Sequence, residues 1–584
     1  MQSPWHVLRP LSAALLALPA LTQVPQAQEA SDDPLLYVYS GGLDALLVDP
    51  RDEGLLRALR MLDDRLLEVP GEVGADFPPS IIRLLFDVGF SPMDFELHLD
   101  SMEESGGEVP VDAQLRIFGN AEKRESIARG TEAILTMGGM ASHSVEGADY
   151  QQIPLPVGAL LHGAIDDSVG REGYFLVFGE PSTAPPRTAQ HGLPDGVEPA
   201  LFLEADARAI RPYLEMAVDM AGPQGDILYE MLDMFGLFGE EHLGYRAAIG
   251  HGTDRAHTVV RTINGVPALE SLGSLVREPL TMAEMRLIPE DAVFASMWKS
   301  DLSFMSDMFQ VFSDAVEEDL LIEIEKMSGI HLGHDVFDVI GHVGGVYMAD
   351  STGGGGLVST VIFNSVKDEA KMNATLDKVA HKIDALGSLH AKGYVAMRTW
   401  EHQGTRCRSL QFPGVPVPIE PSFCIKNGML WVGATPQALL GALEHASNAK
   451  SGLIDSARFQ DAAFGSMEDL TSFSYQDTSR LVHDGYGWGT LMFTALQNAV
   501  RSPHDPERDP GLVMPTYSGI AQGARPSVMF GRIEGNDIVV RGQSDRSMVA
   551  NFTAVLGNPL LLVGVCLGLV GGIAEEPAVQ QLFR

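Results

Sequence analysis

At 584 residues the chain exceeds what one hydrophobic core organises, and ordinary domain sizes point to three to five units. Hydrophobic residues make up 45% and charged residues 20%, which is enough apolar material for packed interiors and excludes a chain disordered by composition. The formal charge of -38, with no lysine or arginine cluster to offset it, repels phosphate backbones and excludes nucleic acid as the expected partner; acidity serving solubility or a saline medium is the plainer reading.

In chain order, residues 1–30 read as an address. Arg9 precedes the apolar run "LSAALLALPAL" (Leu11 to Leu21), and the polar "TQVPQAQEASDD" follows. This is the pattern of a signal peptide, with small residues between Ala20 and Ala30 for cleavage, and it predicts an exported, extracytoplasmic protein. The apolar run is too short to span a bilayer, and the absence of a nearby cysteine argues against a lipoprotein signal.

Module A1 (31–182) opens with a strand and helix in "DPLLYVYSGGLDALL", passes through the strand word "FELHLDS", and continues as "VDAQLRIFGNAEKRESIARGTEAIL" (Val111 to Leu135), which reads as strand, turn and amphipathic helix. The strand "GYFLVFGEP" closes it. The Pro-rich linker "PSTAPPRTAQHGLPDGVEP" leads to module B1 (197–280). There Phe202 lies in a strand whose end, Asp206, sits where a helix begins, and "RAHTVVRTING" follows.

The second half repeats this order. Module A2 (287–447) has "IPEDAVFASMWKSDLSFMSDMF", then "GVYMADS", then "VSTVIFNSVKDEAKMNATLDKVAHKI" (Val358 to Ile383), and closes with "GMLWVGATPQALLGALEHA". In module B2 (465–556) Phe473 and Asp477 parallel Phe202 and Asp206, and Val539 to Arg541 repeat the Val-Val-Arg of Val259 to Arg261. The predicted fold class is α+β: internally duplicated modules of mainly antiparallel sheet covered by helices, in the order A-B-A-B. The recurring strand-helix unit is architecture, since its helix carries no reactive constellation in either copy. "DSTGGGGLVST" lacks the Gly-Lys-Ser/Thr ending of a phosphate loop and reads as a connection between strands, and "RSPHDPERDPGLVMP" as a long loop inside B2.

Residues 287–447 carry the words Pro289-Glu290-Asp291, Gly329-Ile330-His331, Val343-Gly344-Gly345 and Thr435-Pro436-Gln437-Ala438-Leu439. In this order they resemble a bacterial family of exported proteins catalogued as a domain of unknown function, numbered 3352. His331 stands where that family commonly has an acidic residue, and Val343 where it has Leu. The resemblance implies an exported, envelope-associated protein; no catalytic residues carry over from it.

The first candidate site is "HLGHDVFDVIGH", with His331, His334, Asp335, Asp338 and His342. On one helix His334, Asp338 and His342, four residues apart, share a side, where imidazole and carboxylate converge on Zn²⁺ or another divalent ion. In the competing reading Asp335 starts the helix, Val336, Phe337 and Ile340 form its buried face, and the histidines lie outside. A second group, His251, Asp254 and His257 in "AIGHGTDRAH", reads first as a turn between strands. No nucleophile elbow, His-Glu-Xaa-Xaa-His or Walker loop occurs.

Met, Leu and Phe crowd "ILYEMLDMFGLFGEEHLGYR" (Ile227 to Arg246), a core or an apolar-ligand surface, and "MWKSDLSFMSDMFQVF" in A2 resembles it. Cys407 and Cys424 face each other if their hairpin folds about residues 415 and 416, which makes a disulfide or two buried thiols the alternatives. Residues 557–584 read as a C-terminal apolar helix whose stretch 559–574 is either a membrane anchor or a buried or peripheral segment. Together these features predict an exported, envelope-associated, non-enzymatic scaffold that binds an unknown protein or envelope ligand, with no cofactor. The alternatives are a carrier or sensor of an apolar ligand, and a metal-dependent hydrolase built on residues 331–342.

Overall fold

The computed structural model describes most of residues 34–558. Residues 1–33, 74–77, 100–110, 309–328 and 559–584, most of 209–242, and a few shorter loop positions lie outside the described residues. The expectations for 1–30 and 559–574, and most of that for 227–246, fall there.

Period-two patterning yields strands throughout, as in Ala292–Lys299, where buried and part-exposed side chains alternate. The first half contributes β1 (Leu36–Ser40), β2 (Met93–Leu99), β3 (Val111–Phe118), β4 (His143–Ser144), β5 (Tyr150–Pro154), β6 (Ala159–Asp166), β7 (Glu172–Phe178), β8 (Pro199–Asp206), β9 (Gly244–His251) and β10 (Ala256–Ile263). The second half contributes β11 (Ala292–Lys299), β12 (Ile340–Ala349), β13 (Thr360–Val366), β14 (Ala396–His402), β15 (Thr405–Gln411), β16 (Ser422–Lys426), β17 (Met429–Gly433), β18 (Ser472–Gln476), β19 (Ser527–Glu534) and β20 (Asp537–Ser544).

Backbone pairing orders the first ten strands β4-β5-β6-β7-β3-β2-β1-β8-β9-β10, every neighbour antiparallel. The second ten run β14-β15-β16-β17-β13-β12-β11-β18-β19-β20, again antiparallel. The two orders correspond strand for strand. β10 pairs with β20 and joins them into one 20-stranded sheet. In that ladder Val260 faces Val540, Val259 faces Arg541 and Arg261 faces Val539, so the two Val-Val-Arg words lie against each other. Arg261 and Arg541 both reach Glu534, whose carboxyl is held below its usual range chiefly by the Arg541 hydrogen bond.

The longer helices among the described residues are α1 (Glu53–Val73), α2 (Pro79–Phe90), α3 (Ala121–Met137), α4 (Glu369–His390), α5 (Pro436–Asn448), α6 (Thr478–Val500) and α7 (Met548–Gly557). After strand β3 the Asn120 side chain accepts the Lys123 amide and starts α3; after β13, Asp368 accepts the Lys371 amide and starts α4. Asp477 caps α6 in the same way through the Arg480 amide.

The largest core lies in the second half. Tyr347, Phe363 and Trp431 of the sheet meet Ala438, Leu439, Ala442 and Leu443 of α5, and Phe459 packs against Phe473, Tyr475 and Phe530. Burying each such large side chain contributes about 1.5–3 kcal/mol. A separate core joins α6 and α7 with Ala58 of α1, through Leu481, Val482, Phe493, Val549, Ala550 and Ala554. Gly485 lies against Gly557, and Phe493 against Phe552, so α6 and α7 run antiparallel. A Cβ on Gly485 would meet the Thr553 carbonyl, and one on Gly557 the Leu481 carbonyl, so these glycines set the close approach of the two helices.

Candidate functional site

Residues 331–342 do not form one helix, which corrects the single helix on which the metal-site expectation rests. A six-residue π-helical turn, Leu332–Phe337, ends at Asp338, whose amide donates to the Gly333 carbonyl at 3.0 Å. Strand β12 begins at Ile340, and His342 belongs to it, in an irregular stretch between Ile340 and Gly344. The cause is local and tertiary. Val339, Ile340 and Val343 are β-branched, and Gly344 and Gly345 let the strand approach the Trp298 and Phe363 side chains, where a Cβ would collide.

His334, Asp338 and His342 therefore do not share a helix face. The exposed His334 lies between Asp335, its Nδ1 3.3 Å from Oδ1, and Lys371, whose Nζ is 3.2 Å from Nε2. His342 Nε2 is 3.2 Å from Asp301 Oδ2, and the other oxygen of Asp301 meets Lys367 Nζ at 3.2 Å. An ammonium beside each of these groups repels a divalent cation. Burial raises the pKa of Asp301, but the Ser303 amide and hydroxyl and the Lys367 ammonium outweigh it and hold the carboxyl below its usual range. Asp335 is likewise held low: burial is outweighed by the His331 amide, His334 and Lys378. Among the described residues no group of three His, Cys, Asp or Glu side chains is placed to hold a metal ion.

His251, Asp254 and His257 flank a tight connection between β9 and β10, where the Gly252 amide donates to the Arg255 carbonyl at 2.8 Å. Burial lowers the pKa of both histidines, which favours neutral imidazoles packed at a turn. A further buried imidazole, His162, holds its Nδ1 2.6 Å from the Tyr174 hydroxyl oxygen, and burial lowers its pKa too. Sequence patterning does not single it out.

Cys407 on β15 lies directly opposite Cys424 on β16, as the hairpin folded about residues 415 and 416 requires. Both are fully buried free thiols. The hydrogen bond between them lowers the pKa of Cys407 and, with burial, raises that of Cys424.

The described part of "MWKSDLSFMSDMFQVF" begins as strand β11, with Met297 fully buried in the main core. An open groove of about 690 Å³ is lined by Leu280, Met282, Met285 and Met467. A group of exposed apolar side chains lies elsewhere, on α6. Trp488 is 63% exposed, Leu491 65% and Met492 50%. Their spacing places them along one flank of the helix, beside the buried ridge of Leu481, Gly485, Gly489 and Phe493. Residues 485–500 contain no charge, and this run around Trp488 is the sequence signal for the face.

No family model, curated protein or solved structure matches the chain. The resemblance of residues 287–447 rests on its sequence words alone.

Proposed function

We propose that this is an exported, envelope-associated binding scaffold, built by duplication of an A-B module and performing no chemistry of its own. The observation that carries the reading is the exposed side of α6 within the uncharged stretch 485–500, with Trp488, Leu491 and Met492 turned to solvent on an otherwise acidic protein; grouped exposed apolar side chains of this kind mark an interaction site. The matched strand orders of the two halves support duplication, and residues 1–30 support export. The resemblance to the exported family numbered 3352 agrees with that address.

Expression of the complete chain in a bacterial host, followed by fractionation and N-terminal sequencing, tests this reading. Cleavage between residues 20 and 30 and recovery from the envelope fraction are expected. An uncleaved chain retained in the cytoplasm would overturn export and, with it, the envelope assignment.

A second reading, a carrier of an apolar ligand, is favoured by the groove at Leu280, Met282, Met285 and Met467, whose side chains adapt to greasy surfaces. Saturable binding of a fluorescent fatty acid, weakened at least tenfold by Met282→Asp, supports it; unsaturable binding or indifference to that change removes it.

A further inference from the structure

The helix packed against α6 exposes apolar side chains of its own. Phe552 of α7, 40% exposed, stacks edge-on against Phe493 of α6 at 5.8 Å, and Met548 lies one turn before it on the exposed side of α7. Trp488, Leu491, Met492, Met548 and Phe552 thus belong to one antiparallel helix pair. Neither Gly485–Val500 nor Met548–Gly557 contains a charged residue, on a chain of net charge -38.

Two observations favour one occupant. α7 ends beside Leu481 and Gly485, so the chain leaves the described fold at Asn558, at one end of this face. The sequence beyond it, Pro559 to Ala574, is uncharged and strongly apolar. Wherever that segment enters lipid, the α6–α7 pair is the part of the fold tethered closest to the bilayer. Residues 485–500 around the outward tryptophan bring no charge of their own to lipid, with Asp484 exposed one turn before Trp488, and the indole suits the boundary between acyl chains and headgroups.

We infer that the α6–α7 face, centred on Trp488, Leu491 and Met492, seats on a lipid bilayer and holds the sheet against the membrane surface. The inference rests on the binding-scaffold reading and gives that scaffold its ligand class, a lipid surface recognised through apolar contact.

The test uses residues 31–584, which retain every described residue, with phosphatidylcholine vesicles whose acyl chains are brominated as quenchers. This chain holds four tryptophans, of which Trp298, Trp400 and Trp431 are buried or part-buried and Trp488 is exposed. Brominated vesicles are expected to quench the emission. Trp488→Phe should remove more than half of that quenching, and Leu491→Asp with Met492→Asp should raise the lipid needed for half-maximal quenching at least tenfold.

Three results would overturn the inference. One is equal quenching in the parent and in Trp488→Phe, which would place lipid contact elsewhere, as on residues 559–574 alone. Another is no quenching in the parent. The third is a doubling of sedimenting mass that shields Trp488 without lipid, which would make the face a contact between two copies. The substituted positions are exposed, and an unchanged near-ultraviolet dichroism spectrum verifies folding. Because no step of this assay depends on export, failure here leaves the fractionation result standing, and failure there leaves this one.

Discussion

The Ser547 hydroxyl donates to Asp52 Oδ1 at 2.6 Å across a separation of 495 residues. The same carboxylate accepts the amides of Met548 at 2.9 Å and Val549 at 3.0 Å, while Ser547 Oγ accepts that of Ala550 at 3.1 Å. Two side chains thus satisfy the amides of the first turn of α7, and one comes from the beginning of the described chain. Asp52→Ala leaves these donors buried and unpaired. A loss of about 2–3 kcal/mol in urea unfolding is expected, with Asp52→Asn losing less. Equal stability of Asp52→Ala and the parent would show that the cap contributes nothing.

Gly485 offers a second test in the same region. Its missing side chain lets the Thr553 backbone approach α6. Gly485→Ala would raise helix propensity in isolation but forces α6 and α7 apart, and the collision prevails. The expected cost is about 3 kcal/mol, in contrast to Gly487→Ala, which meets no atom within 4 Å and should be neutral or slightly stabilising. Thermal melts of the two variants decide it.

Cys407 and Cys424 share a register position, so an exported chain meeting a disulfide-bearing oxidant is expected to carry the bond between them. The two thiols surrender two protons and two electrons, which reduce the oxidant to its dithiol. Alkylation after denaturation without reductant should then label one of the three cysteines, Cys566, and with reductant all three. Closing a loop of about 15 residues contributes about 3 kcal/mol. Three labelled thiols in the chain recovered from the envelope would refute the bond.

Burial holds the pKa of His162, His251 and His257 below the ordinary 6.5. On unfolding these imidazoles take up protons more readily, so their stabilising effect is complete above pH 6.5 and fades as pH falls towards and through the folded values. Stability should therefore decline on acidification from pH 6.5 to 5, before the carboxylates titrate. His162→Gln should flatten that decline by up to one proton, about 1.4 kcal/mol per pH unit. A stability curve level over this interval would remove the argument.

Much of the local architecture is legible in the sequence because short-range physics determines it. Alternation marks the strands, Asn120, Asp368 and Asp477 mark helix starts, and the turn-rich "PGVPVP" sets the register that places Cys407 opposite Cys424. The helix expected through His334, Asp338 and His342 fails for a cause partly local and partly tertiary: a spacing of four suits a helix, but the β-branched Val339, Ile340 and Val343 favour a strand, and Gly344-Gly345 let that strand approach Trp298 and Phe363. Partners distant in sequence leave no such mark. Nothing near Leu36 announces that β1 will lie beside β8, nothing near Asp52 announces Ser547, and the Val-Val-Arg words, alike as sequences, give no hint that they pair with each other. The exposed face of α6 is hidden for another reason, since the uncharged stretch 485–500 reads equally well as core until its neighbours are known.

The β10–β20 ladder also has a consequence for synthesis. β10 ends at Ile263 and its partner begins at Asp537, so roughly 270 residues must be made between them, tens of seconds at ~5–20 residues per second. Throughout that interval the first half presents an open row of backbone donors and acceptors running from Ala256 to Thr262, the kind of edge that recruits a second chain. A nascent chain that stalls or is cut between the halves would be left adhesive along this strand, and an unfolded, translocation-competent state, or a chaperone occupying β10, would be the safeguard until the second half arrives.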